Sequence, residues 1–78
     1  MDQAEFFGKI EEILDSDPGT VSGTSVVQDQ QGWDSVAALS LIAMIDESYG
    51  VSLEGTEIFG CPTVGELFAL VQDRAKAA

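Results

Sequence analysis

Ser35 is the side chain best placed to take part in chemistry. It lies in the run Gly32-Trp33-Asp34-Ser35-Val36, where Asp34 has the character of a helix N-cap and Ser35 of the first helical residue. A phosphodiester on a hydroxyl in a first helical turn would lie near N–H groups and a dipole that favour an anion. Since the chain has no histidine to act as a base, we expect Ser35 to accept a group from another enzyme. An Asp-Ser pair by itself is more often only a helix cap.

The acidic side chains indicate neither a catalytic nor a metal site. The candidate carboxylate pairs are Glu11 with Glu12 and Asp46 with Glu47, but sequence neighbours on a helix do not face each other. We therefore expect these carboxylates to be exposed charges. A calcium loop beginning at Asp15 fails because it lacks the required glycine and the closing glutamate. Loose association of divalent ions with so acidic a surface remains an open alternative.

The single cysteine, Cys61, lies just before the last predicted helix. A helix N-terminus can lower a thiol pKa, but the sequence offers neither a base nor a second thiol. We therefore expect a small, half-buried side chain without redox chemistry. One cysteine excludes an intrachain disulfide, which suits a reducing compartment and favours a cytoplasmic location.

The composition limits the classes of partner. The chain has 78 residues, 45% of them hydrophobic, and a net charge of −11, which predicts one small folded domain spanning residues 1–78. Between Lys9 and Arg74 there is no basic residue, so we expect neither nucleic acid nor an anionic membrane surface as a partner. The chain also has no segment that could span a bilayer and no positively charged N-terminal signal. We expect a monomer.

The spacing of apolar residues predicts an all-α fold, a small four-helix bundle. The expected elements are a helix over about 3–14, a second over about 35–49, a short turn near 55–59 and a last helix after the cap Thr63. Asp2 with Glu5 has the form of a capping box for the first helix, and Gly50 is the expected stop of the second. Three main helices and one short helix thus surround one core, with a long loop between the first two.

The long loop over residues 15–33 contains four apolar side chains: Val21, Val26, Val27 and Trp33. A disordered linker has no need of them, so we expect the loop to fold against the helices. The alternative is a short strand at 25–28 with no visible pairing partner. Trp33 is expected to close the core beneath the loop and so to determine where Ser35 emerges.

The second helix carries apolar residues on two sides. One side, the expected core face, contains Ala38, Leu41, Ile42, Ile45 and Tyr49. The other contains Val36, Leu39 and Ala43, next to Asp46 and Glu47. Either the helix is buried on both sides or the second side is a surface for a partner, and the pattern favours neither explanation over the other.

Taken together, these segments resemble the acyl carrier proteins over nearly the whole chain. The resemblance rests on Asp34-Ser35-Val36, Ala38-Leu39, Leu41-Ile42, Ile45-Asp46-Glu47-Ser48-Tyr49-Gly50-Val51 and Pro62-Thr63-Val64-Gly65-Glu66-Leu67. In that family an Asp-Ser-Leu motif opens the second helix.

The resemblance implies that Ser35 bears 4′-phosphopantetheine, transferred from coenzyme A by a separate, magnesium-requiring phosphopantetheinyl transferase. The thiol of that arm would hold an acyl, aminoacyl or polyketide group as a thioester. The protein itself would catalyse nothing and would deliver its cargo to acyl-loading and acyl-processing enzymes. Asp34 matches the acid associated with recognition by the transferase.

The same resemblance assigns partner docking to the second helix. Val36, Leu39 and Ala43 match the family's apolar contacts, and Asp46 and Glu47 match acids that meet basic patches on partner enzymes. Such charges mainly speed and orient an encounter, which suits rapid handover.

Three departures from the family pattern bear on the pathway. Val36 stands where leucine is usual, and Ala37 and Ser40 occupy positions that are often acidic in carriers of fatty acid synthesis. We therefore expect the acidic face of the second helix to carry fewer carboxylates. The Gly-Trp pair before Asp34 is more similar to free-standing carriers of specialised pathways, namely polyketide, peptide or polysaccharide modification.

A competing hypothesis explains the charge and the apolar stripe without any modification. It is a non-covalent, acidic helical adaptor or inhibitor that docks on basic partner surfaces, and it predicts that a Ser35→Ala protein retains function. A small hydrolytic enzyme is a poorer alternative, because no base accompanies Ser35 or Cys61.

Overall fold

Four α-helices follow one another along residues 2–77, the part of the chain that the computed structural model describes. They are α1 (Gln3–Leu14), α2 (Ser35–Tyr49), α3 (Gly55–Phe59) and α4 (Val64–Ala77), with a 3-10 turn at Val27–Asp29 before α2. The predicted all-α bundle of three main helices, one short helix and a long first connection is confirmed. Within residues 2–77, no helix has the length and apolar character needed to cross a membrane.

Both ends of α2 and the start of α4 are capped by the residues that the sequence predicts. The Asp34 carboxylate accepts a hydrogen bond from the Ala37 amide at 2.8 Å, and Gly50 adopts a left-handed conformation with φ of 68° after α2. The Thr63 hydroxyl accepts a hydrogen bond from the Glu66 amide at 3.2 Å. Each cap satisfies backbone groups that the helix cannot satisfy by itself.

The start of α1 differs from the predicted capping box. Asp2 is the N-cap and accepts a hydrogen bond from the Ala4 amide at 3.0 Å. Glu5 instead lies 3.8 Å from the Lys9 ammonium, one turn along the helix. At the other end, Asp15 takes a left-handed conformation with φ of 54° and ends α1.

The core is a single cluster to which all four helices contribute. Its members include Phe6, Ile10 and Leu14 of α1, Ala37, Leu41 and Ile45 of α2, Ile58 of α3, and Val64, Leu67, Phe68 and Val71 of α4. The rings of Phe6 and Phe68 meet edge to face with centroids 5.3 Å apart. The expectation that Ala37 occupies the place of an acid on the exposed face of the second helix is wrong. Ala37 is 6% exposed, because it lies one helical turn before Leu41 on the core side.

The connection between α1 and α2 folds against the helices, as predicted. Val21 and Val27 are buried, and Trp33 packs half-buried against the core. The short strand considered for this region is a single antiparallel bridge between Val26 and Thr63. The partner that the sequence did not reveal is therefore the residue just before α4. The Val27 amide adds a hydrogen bond to the Pro62 carbonyl at 3.0 Å.

Glu11 is a second correction, because it is buried and not an exposed charge. It is 7% exposed, and its Oε2 accepts hydrogen bonds from the amides of Gly19 at 2.8 Å and Val21 at 2.9 Å. The desolvated carboxylate is compensated by these charge-assisted hydrogen bonds. Its neighbour Glu12 is exposed, as expected.

Candidate functional site

Ser35 is the first residue of α2 and is exposed to solvent. The preceding Asp34 is extended, with φ of −154° and ψ of −174°. Its carboxylate caps the Ala37 amide, and its carbonyl accepts a hydrogen bond from the Ala38 amide at 3.0 Å. The helix thus starts at a defined residue, and the Ser35 side chain lies at the open, positive end of the α2 dipole.

Two residues just before the helix set the place where Ser35 emerges. Gly32 has a φ of +87°, and a Cβ added there would lie 3.0 Å from the Leu14 carbonyl oxygen. A side chain at this position would therefore be strained both by the backbone conformation and by the close approach to the end of α1. Trp33 donates its amide hydrogen to the Gln30 carbonyl at 3.1 Å and packs against the core. The predicted role of Trp33 in closing the core beneath the loop is confirmed.

The surroundings of Ser35 fit an acceptor of a phosphoryl-linked group and not an activated nucleophile. The Asp34 carboxylate is engaged in capping, and the chain has no histidine, so no imidazole is present to deprotonate the hydroxyl. An exposed hydroxyl at a helix N-terminus leaves room for a phosphodiester and favours its negative charge. When bound, a phosphopantetheine arm supplies a thiol that carries acyl groups as thioesters, and Ser35 Oγ is the atom that would hold it.

The six residues assigned to docking are all exposed along α2 and its N-cap. We call them the docking surface after the role that the sequence predicts for them; they are Asp34, Val36, Leu39, Ala43, Asp46 and Glu47. Its large apolar members, Val36 and Leu39, are 68% and 66% exposed. The two-sided pattern of the sequence therefore corresponds to one buried side and one side open to solvent.

Charge is confined to the two ends of the docking surface. Ser40 is exposed and Ala37 is buried, and every exposed residue of α2 before Asp46 is uncharged. The acidic groups lie at Asp34 on one end and at Asp46 and Glu47 on the other. An apolar centre flanked by acids suits a partner with an apolar contact and basic groups around it.

Two more apolar side chains, Phe59 and Val26, are exposed and were not singled out as surface residues by the sequence. Phe59, the last residue of α3, is 55% exposed, whereas its neighbour Ile58 is buried. A five-residue helix is too short to show a periodic pattern, so the sequence contained no signal that could separate the two.

Cys61 is half-buried and packs against the core, as predicted. Burial raises the pKa of its thiol, and the nearby Glu66 and Glu57 carboxylates raise it further. The thiol form is therefore favoured over the reactive thiolate. Within residues 2–77, no three cysteine, aspartate or glutamate side chains are grouped in a way that could hold a metal ion.

Comparison with known proteins places the chain in a family. Residues 5–71 match the family described as the phosphopantetheine attachment site. The chain is similar to the acyl carrier protein MbtL of Mycolicibacterium paratuberculosis, with 35% identity over 68 residues that cover 87% of this chain and 76% of that protein. It also resembles an acyl carrier protein of Saccharopolyspora erythraea, with 26% identity over 77 residues that cover 94% of this chain and 81% of the relative.

No solved structure gives a significant match to the chain. The family match nevertheless spans most of the sequence and includes Ser35 and all of α2. Members of this family are carriers and not catalysts, and they bear covalently attached 4′-phosphopantetheine. The chain therefore belongs to the acyl carrier protein family of phosphopantetheine-bearing carriers.

Proposed function

We propose that Ser35 is the residue to which 4′-phosphopantetheine is attached. The observation that carries this proposal is an exposed serine at the first position of α2, within the segment that matches the family. A phosphopantetheinyl transferase would join Ser35 Oγ to the phosphorus next to the pantetheine arm of coenzyme A. The pyrophosphate bond of coenzyme A would break, 3′,5′-ADP would leave, and the hydroxyl proton of Ser35 would be lost. The thiol of the arm would then hold acyl, aminoacyl or polyketide intermediates as thioesters and deliver them to partner enzymes.

The proposed docking surface receives these partners in turn. Val36 and Leu39 present apolar side chains with no covering contact within the described residues, and a large exposed apolar pair is typical of an interaction site. Asp34, Asp46 and Glu47 would orient basic patches on acyl-loading and acyl-processing enzymes. Electrostatic attraction of this kind raises association rates more than it tightens binding, which suits a shuttle.

The uncharged centre of the docking surface supports a partner set outside housekeeping fatty acid synthesis. Ser40 and Ala43 leave that centre without a carboxylate, so an enzyme that requires acidic contacts there would bind weakly. We propose a role in a specialised pathway, for a single carrier domain that acts as a monomer in the cytoplasm. The one core shared by all four helices supports the single domain.

The test is transfer of phosphopantetheine in vitro. The protein is incubated with coenzyme A, magnesium and a broad-specificity transferase, and its intact mass is measured. We expect one phosphopantetheine on the unaltered protein, none on Ser35→Ala, and one on Ser40→Ala, which removes an exposed serine of the same helix. Modification that persists in Ser35→Ala would contradict the proposal.

The same variants distinguish the adaptor hypothesis. A non-covalent adaptor would work equally well with Ser35→Ala, whereas a carrier loses delivery completely because the tether is missing. Delivery is measured as acyl transfer to a partner enzyme after loading.

A further inference from the structure

A polar cleft lies between the end of α1 and the turn that leads into α2. Its volume is about 560 Å³. One wall comes from residues 15–17 and the other from residues 30–32. A Cβ on Gly32 would lie 3.0 Å from the Leu14 carbonyl oxygen, so the two walls meet at this contact.

Backbone and side-chain hydrogen bonds hold both walls of the cleft. On the first wall, the Ser16 amide donates to the Glu11 carbonyl at 2.9 Å. On the second, the Gln30 side chain donates to the Val26 carbonyl at 2.9 Å, and the Gln30 carbonyl accepts a hydrogen bond from the Trp33 amide. Because the cleft is already formed, little ordering of the chain is needed when a partner group enters it.

The lining of the cleft favours a positively charged group. Asp15 and Asp17 are exposed, and no basic side chain lines the cleft. Within residues 2–77, the two ion pairs engage Lys9 and Arg74 elsewhere on the surface. The carboxylates and the neighbouring amide and hydroxyl oxygens can accept hydrogen bonds from an ammonium or guanidinium group. A partner must therefore supply the positive charge that neutralises the cleft.

The cleft adjoins the proposed attachment residue. Gly32 and Ser35 are three residues apart, so their Cα atoms are no more than about 11 Å from each other. A standard interface buries about 800 Å² of each partner, which corresponds to a disc of roughly 16 Å radius. An enzyme that acts on Ser35 Oγ itself should therefore cover the rim of the cleft. Enzymes that act on the thiol work at the end of the arm and have no need to do so.

We propose that this cleft receives a basic side chain, an arginine or a lysine, of the phosphopantetheinyl transferase that modifies Ser35. The proposal rests on the attachment at Ser35 proposed above. It adds a contact that precedes Ser35 in the chain, whereas most of the docking surface follows it along α2. Contacts on both sides of Ser35 would orient the serine hydroxyl towards coenzyme A.

Steady-state kinetics of phosphopantetheine transfer to the full chain test this contact. The cleft variant, Asp15→Asn with Asp17→Asn, replaces both carboxylates by amides of the same shape. The control, Glu12→Gln with Asp73→Asn, removes two negative charges at exposed positions outside the cleft. The two variants have the same net charge, so a difference between them reports the position of the charges. We expect the KM for the carrier to rise about fivefold or more in the cleft variant and to stay within about twofold in the control, with kcat unchanged in both.

A third variant fills the cleft with charge without removing an acid. Gln31→Lys places an ammonium group at an exposed position of the lining, and it should also raise KM about fivefold because it repels the incoming basic group. Both increases should shrink in about 0.5 M NaCl, since salt screens exposed charges. Asparagine tolerates the left-handed conformation of Asp15, so the cleft variant should melt normally. If it does not fold, Gln31→Lys and the single variant Asp17→Asn decide the matter.

Each other outcome counts against a specific statement. Equal increases in KM in the cleft variant and the control would show that only the overall charge matters, and the proposal would be overturned. An unchanged KM in the folded cleft variant would overturn it too, as would an increase that persists fully in high salt. Absence of transfer to the unaltered protein, or transfer that persists in Ser35→Ala, would instead contradict the attachment at Ser35.

Discussion

The Oε2 atom of Glu11 accepts a hydrogen bond from the Val21 amide at 2.9 Å, although the two residues lie ten positions apart. The Gly19 amide shares the same carboxylate oxygen at 2.8 Å. A buried carboxylate of α1 thus holds the beginning of the connection that leads to Ser35. The position of Ser35 depends on this connection, because Gly32 near its far end lies close to the Leu14 carbonyl.

Removing the Glu11 carboxylate should destabilise the protein. Glu11→Ala leaves two amides without their acceptor, and we expect the free energy of unfolding to fall by about 2–3 kcal/mol. Urea unfolding measures this. The matched control is Glu12→Ala, an exposed neighbour whose effect should stay within about 0.5 kcal/mol. Equal effects of the two substitutions would show that the buried hydrogen bonds contribute nothing measurable.

A glycine in α4 should resist replacement although alanine is the better helix former. A Cβ on Gly65 would lie 2.7 Å from the Gly23 carbonyl oxygen, so Gly65→Ala must push the connection away from α4. We expect a loss of about 1–3 kcal/mol, as for overpacking elsewhere. Gly8→Ala in α1 meets nothing within 4 Å and should gain about 0.5–1 kcal/mol. Thermal unfolding of both variants provides the comparison, and a stabilised Gly65→Ala protein would contradict the close contact.

Local sequence patterns were enough to predict both ends of α2, the start of α4 and the division of α2 into two apolar sides. Asp34, Gly50 and Thr63 act through backbone groups within four residues of themselves, so their types and positions carry the information. The helical period likewise separates Val36 and Leu39 from the core side, but it left open whether they are buried, and only the structure shows that both are exposed.

Contacts between distant segments were not predictable from those patterns. Glu11 has the same sequence character as its exposed neighbour Glu12, and only the path of the connection places two amides next to it. The bridge between Val26 and Thr63 likewise joins residues with no complementary pattern in sequence. Such pairings arise from tertiary packing, which overrides local preference.

The apolar centre of the docking surface should contribute to binding of the phosphopantetheinyl transferase as well as of later partners. Leu39→Ala removes a side chain that is 66% exposed and should leave the fold intact. We expect the KM for the carrier in phosphopantetheine transfer to rise about 5- to 30-fold, as for truncation of a central interface contact. Val26→Ala, at an exposed apolar residue outside the docking surface, is the control and should leave KM unchanged. Identical KM values for the two variants would remove Leu39 from the interface.

The free energy of unfolding should decline at alkaline pH, because the Tyr49 hydroxyl and the Cys61 thiol have raised pKa values. Burial raises the pKa of the Tyr49 hydroxyl, with further contributions from the carboxylates of Glu5 and Asp2, and burial also raises that of the Cys61 thiol. The folded state therefore favours the protonated forms. Their contribution is complete below the pKa values of the unfolded chain and is lost as pH rises through the raised values, from about pH 9 upward.

Melting curves between about pH 8 and about pH 10.5 measure this decline. The control is the double variant Cys61→Ser with Tyr49→Phe, in which neither group titrates as a thiol or a phenol. Its melting temperature should fall less over the same interval. An equally steep fall in the double variant would assign the decline to other groups.

Mapping the prosthetic group on protein isolated from its native host decides whether Ser35 is the attachment residue. Cleavage after Asp34 and Asp46 releases a peptide that contains both Ser35 and Ser40, so fragmentation by mass spectrometry must distinguish the two serines. We expect 4′-phosphopantetheine on Ser35, with or without cargo on its thiol. A native protein that carries no such group, or carries it on another residue, would show that Ser35 is not the attachment residue.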